Sequence, residues 1–153
     1  MNLERYPLTA KGHFELFEFE SIGSKGRIAK VIQFIPLEVE GVYNLGFGDL
    51  TIDTGLVNDR VVSDNGDTRK VLATVVHSLY LFTERHPNAK IVVSGSTPSR
   101  NRLYRIALLK YMHLAEHSFH LFGDLGGANW EQFKPNTDYI RFLLIRKTGH
   151  DQD

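Results

Sequence analysis

The run IVVSGSTPSRNRLYRIALL, Ile91 to Leu109, constrains the fold most, because it carries an apolar strand straight into a helix. Lys90 to Ser94 is short and β-branched, as a buried strand would be. It stops at Ser94-Gly95-Ser96, and the hydroxyl of Thr97 can then cap a helix. Pro98 follows at the first helical position, where a missing N–H costs nothing and φ is already set. From Pro98 to about His117, Tyr104, Ala107, Leu108 and Tyr111 form one stripe of a second helix. The helix before it runs from Asp67 to Arg85, with Val71, Leu72, Val75, Val76, Leu79 and Phe82 at helical spacing, and stops at His86-Pro87-Asn88. A strand held between two helices excludes an all-α or an all-β chain.

Three strands precede this unit. His13 to Gly23 interleaves phenylalanines with glutamates, and Ser21 to Gly26 supplies a turn. Arg27 to Leu37 is β-branched and apolar, and Pro36 marks its end or an edge. Val42 to Leu50 alternates cleanly, with Tyr43, Leu45 and Phe47 opposite Asn44, Gly46 and Gly48. The small face suits a bulge or a close approach by ligand or backbone. Thr51 to Gly66 reads as a long loop with room for a short strand at Arg60–Ser63. After the second helix, Ser118 to Phe122 is a strand, Gly123 to Asn136 is irregular around Trp130, and Tyr139 to Arg146 closes the sheet. The expected fold is one α+β domain over residues 1–153, a mixed and mostly antiparallel sheet in the order β-β-β-α-β-α-β-β.

A chain of 153 residues with 42% hydrophobic residues can bury one core without staples. Eighteen basic residues balance eighteen acidic ones, so no global field draws the chain to nucleic acid or to an anionic membrane. The absence of cysteine removes disulfides, thiolate nucleophiles and cysteine-ligated metals, and suits a reducing cytoplasm. MNLERYPLTAKG has no apolar core of a signal peptide, and no apolar run approaches the ~20 residues of a membrane helix. The expected location is cytoplasmic.

Two junctions carry candidate chemistry. In SDNGDTRK, Asn65 and Asp67 can cap a helix and Gly66 can take a positive φ. The amides of Thr68, Arg69 and Lys70 would then form a nest for phosphate, unless the segment is a plain capped helix start. In the second junction Ser96 and Arg100 can meet an anion, with Arg102 and Arg105 nearby; the alternative is a solvated helix face. Arg100 and Arg102 lie about 200° apart on a helix, so both cannot easily face one ligand. Tyr104 can donate a proton to a leaving thiolate or pack within its own apolar stripe. His113, His117 and His120 have helical ligand spacing but no HExxH pattern, and no metal is expected.

The element order resembles the core of the GNAT-type acyltransferases, and Ser96 to Tyr104 is similar to a strand–helix junction of that fold. The resemblance implies an acetyl-coenzyme A or other acyl-coenzyme A ligand, its pyrophosphate at Gly66–Lys70 and Tyr104 protonating the thiolate. Over nearly the whole chain, YNLGFGD (Tyr43–Asp49), NGDTRKVLATV (Asn65–Val75) and GSTPSRNRLYRI (Gly95–Ile106) are similar to a family of small uncharacterised bacterial proteins. That likeness implies no activity, and some members would belong to toxin–antitoxin pairs. The expected function is therefore an acyltransferase-like domain binding a small anionic ligand; the alternative is a non-catalytic module docking a protein partner. Trp130 can anchor such a partner or plug the end of the sheet. The last strand is apolar on both faces and needs cover on both, from a second copy in a homodimer or from this chain's own segments.

Overall fold

The structure, a computed structural model, describes residues 4–50, 57–58, 65–94 and 117–147. Its elements are β1 (Thr9–Lys11), β2 (Leu16–Gly23), β3 (Gly26–Pro36), β4 (Val42–Leu50), β5 (Val57–Asn58), α1 (Thr68–Arg85), β6 (Lys90–Val93), β7 (Phe119–Asp124), β8 (Trp130–Gln132) and β9 (Arg141–Arg146). The mixed, mostly antiparallel α+β character matches the sequence reading. The element order departs from it: β1, β5 and β8 are additional, and α1 is the one long helix among the described residues. The expected second helix, 98–117, falls almost wholly outside the described residues, as does the strand expected at 60–63. The closing strand starts two residues later than its pattern suggests, because Tyr139 and Ile140 precede the ladder.

The chain groups into two compact units, residues 1–35 with 46–85, and residues 36–45 with 86–153. In the first, β1, β2 and β3 are consecutive antiparallel neighbours, β4 follows β3, and β5 pairs with the end of β4. Register explains which side chains are buried. Phe19 lies opposite Lys30 and Phe17 opposite Ile32, so these four share a face with Phe34. Phe34 stacks on Phe82 of α1, with ring centroids 4.1 Å apart and planes 3° from parallel. The other face carries Glu18 and Glu20, paired to Lys11 at 2.9 Å and to Arg27 at 2.5 Å. Exposed pairs of this kind contribute little, about 0–1 kcal/mol each. α1 therefore forms where its apolar stripe, Val71, Leu72, Val75, Leu79 and Phe82, meets an aromatic face. Its buried hydroxyls return to its own carbonyls: Thr74 to Lys70, Ser78 to Val75 and Thr83 to Leu79.

In the second unit the sheet order is β4, β6, β9, β7, β8. The β4/β6 pair is parallel and the β6/β9, β9/β7 and β7/β8 pairs are antiparallel. Gly123 of β7 lies directly under the Tyr139 ring, and any added Cβ would overlap that ring. The segment expected to be irregular instead folds into a hairpin, because Asp124 organises its turn. Asp124 accepts the Gly126 amide at 2.8 Å and the Arg141 guanidinium at 2.5 Å, and Gly126, Gly127 and Ala128 take positive φ. Arg141 also lies 5.1 Å over the Trp130 ring, so Trp130 is engaged within its own sheet. Burial pushes the Asp124 carboxyl up, but the Arg141 and Gly126 hydrogen bonds outweigh it and hold the group below the usual range. On β9, Phe142 and Leu144 are buried while Leu143 and Ile145 are half-buried.

Candidate functional site

The described candidate residues converge on the entrance of α1. Gly66 has φ +78°, the left-handed conformation that favours glycine, and turns the chain into the helix. Asp67 is the N-cap: its carbonyl accepts the Val71 amide at 3.0 Å. Its side chain does not fold back on the helix but accepts hydrogen bonds from the Tyr6 and Ser21 hydroxyls. Asn65 is 1% exposed and fully employed. Its Oδ1 accepts the Lys25 amide at 2.6 Å, and its Nδ2 donates to Ser21 at 3.1 Å and to the Gly26 carbonyl at 2.9 Å. Its backbone carbonyl also accepts the Ser24 amide at 3.1 Å. Asn65 thus latches the β2–β3 turn to the helix entrance. Gly23 is required at that contact, since a Cβ there would overlap the Asn65 carbonyl.

Tyr6 completes the cluster from the amino-terminal segment. Its amide donates to Thr74 Oγ1 at 2.8 Å, its ring stacks on Phe19, and its hydroxyl accepts the Ile22 amide at 3.0 Å. Burial, then the hydrogen bond to Asp67, raises the phenol above its ordinary value. The Lys70 ammonium lies 4.4 Å over the same ring. Thr68 and Arg69 are exposed, and the first turn of α1 carries no acidic residue.

The chain belongs to a family of unknown function, DUF6934. The family match runs over residues 2–147, which includes every described residue. No curated protein matches the chain, and no solved structure does. No match to the GNAT-type acyltransferases accompanies the DUF6934 assignment, and the described elements do not reproduce the order on which the likeness to them was drawn.

In this DUF6934 member, six of the nine expected site residues, Asn65 to Lys70, stand together at one helix entrance. Two of them, Asn65 and Asp67, spend their side chains on the fold. Ser96, Arg100 and Tyr104 lie outside the described residues. Sequence reasoning missed Tyr6, Ser21, Lys30 and Asp49. Lys30 is 1% exposed, its ammonium is 2.5 Å from Asp49 and 5.8 Å from the Phe47 ring centroid. Its signal was present: Ile28, Lys30, Ile32 and Phe34 alternate onto one face, and a lysine interrupts the apolar row. Among the described residues no cluster of His, Asp and Glu could hold a metal ion, and no helix is long and apolar enough to cross a membrane.

Proposed function

We propose that this chain binds a phosphate-bearing acyl donor, an acyl-coenzyme A, and transfers its acyl group to an amine. The observation that carries the reading is the entrance of α1, where the Gly66 turn and the Asp67 cap lead into a first turn that holds Arg69 and Lys70 and no acidic residue. Cations at a helix N-terminus oppose the helix dipole by about 0.3–1 kcal/mol each. An anion at the Gly66–Lys70 turn would reverse that sign, by meeting both the cations and the outward amides.

In the reaction, the amine nitrogen would bond to the thioester carbonyl carbon as the C–S bond breaks, Tyr104 would give its proton to the departing thiolate, and the proton lost by the new amide nitrogen would return through water to the Tyr104 phenolate. Calorimetry with acetyl-coenzyme A and with coenzyme A tests binding. Saturable binding weakened by Arg69→Ala and Lys70→Ala is expected; no heat at about 1 mM ligand, a binding energy near 4 kcal/mol, removes the reading. If binding persists and Tyr104→Phe keeps full turnover, the acid role of Tyr104 is wrong and the binding role stands.

A further inference from the structure

We infer that the amino-terminal segment, residues 4–11, is a strap that opens as a unit from the entrance of α1 while the helix and the sheet beneath it stay folded. Along this segment Tyr6 is the one buried side chain, Leu8 is half-buried, and the other residues are exposed. β1 adds a ladder of three residue pairs at the edge of the sheet, with every residue of the strand exposed. Its ion pair, Lys11 to Glu18 at 2.9 Å, is half in solvent and contributes little. Segments with so few buried contacts are the ones that open without the rest of a protein.

The fastening converges on Tyr6. Its amide donates to Thr74 Oγ1 of α1 at 2.8 Å, and its hydroxyl accepts the Ile22 amide of β2 at 3.0 Å and donates to Asp67. Its ring stacks on Phe19, with centroids 5.6 Å apart. One residue therefore closes two backbone amides in separate parts of the chain, its own and that of Ile22, and both must open when it withdraws. The body beneath does not depend on it: the Phe34–Phe82 stack and the helix's own hydroxyl-to-carbonyl bonds contain no strap residue. Opening also changes the helix entrance. The Lys70 ammonium loses the ring that it lies 4.4 Å over, and the Asp67 carboxylate loses the Tyr6 hydroxyl while keeping Ser21. The strap is thus a device by which the position of the amino-terminal segment sets the charge presented at the start of α1.

Native-state hydrogen exchange on the full chain, resolved amide by amide by NMR, tests the strap. The Tyr6 and Ile22 amides are expected to open together, with protection at least about a hundredfold below that of Val75, Leu79 and Phe82 in α1. Two substitutions test the coupling, each read at the amide whose own partner it leaves in place. Tyr6→Phe keeps the ring but removes the hydroxyl, and is expected to speed exchange of the amide at position 6 about tenfold. Thr74→Val removes the acceptor of that amide, and is expected to speed exchange at Ile22 by about three- to tenfold. The α1 amides should change by much less in both. Exchange of Tyr6 and Ile22 at the rate of the α1 amides would overturn the inference, and so would substitutions that each alter only the amide whose partner was removed. If either variant does not fold, the comparison of strap and helix amides on the unaltered chain still decides.

Discussion

Replacing Asn65 with alanine removes three side-chain hydrogen bonds at once: from the Lys25 amide, to the Gly26 carbonyl and to Ser21. Lys25 and Gly26 stand in an exposed turn, so water can replace part of what they lose. Ser21 is 0% exposed but keeps its bond to Asp67 at 2.5 Å. Each lost bond is therefore worth about 1 kcal/mol net, with one buried site left imperfectly satisfied, and the sum is about 2–4 kcal/mol. For a chain of this size that corresponds to a fall in Tm of roughly 5–15 °C. Urea unfolding followed by circular dichroism reads the change as a lower midpoint at unchanged slope. Asn65→Asp sharpens the test, because it keeps the acceptor for Lys25 but places a carboxylate oxygen against the Gly26 carbonyl. It is expected to be no more stable than Asn65→Ala at pH 7. A cost under about 1 kcal/mol for Asn65→Ala would refute the latch, since it would mean that the β2–β3 turn holds its place without the side chain.

Lys30→Met is expected to destabilise the chain by about 3 kcal/mol, because Asp49 then loses the ammonium held 2.5 Å away, while Lys30→Met with Asp49→Leu is expected near neutral. A double-mutant cycle without coupling would show that the pair does not act as a unit. At high pH the buried phenols set the limit. Tyr6 and Tyr139 are both raised, by burial first and then by hydrogen bonds to Asp67 and Glu131, so the folded state holds their protons more firmly than the unfolded state. That contribution is complete below the ordinary phenol value near 10.0 and is lost as pH rises through the higher folded values. Tyr6→Phe with Tyr139→Phe should flatten the alkaline limb of the stability profile; an unchanged limb would place its cause elsewhere.

Nearest-neighbour patterns made several elements legible. β4 was read at its observed bounds, and α1, β3 and β6 within one or two residues, because period-3.6 and period-2 spacing report directly on one buried face. The glycine-containing entrance to α1 was legible too, since Gly66 punctuates it. Its use was not. Tyr6 stands 61 residues from Asp67, and Ser21 stands 44 from Asn65, and no local pattern names such partners. β8 was hidden for a related reason: three residues are too few to show alternation, and the strand exists because Asp124 and Arg141 draw the turn around Gly126 together.

By itself, then, this sequence determined a mixed α+β protein with a capped helix following three apolar strands, because those preferences arise from residues a few positions apart. Tertiary structure alone decided that β9 inserts between β6 and β7, that Lys30 is buried beside Asp49, and that Asn65 and Asp67 clamp the β2–β3 turn and the amino-terminal segment. Strand partners and registers are chosen by which pairing buries the most apolar surface with its polar groups satisfied. That choice compares segments far apart in the chain, and it exists only once the whole core has assembled.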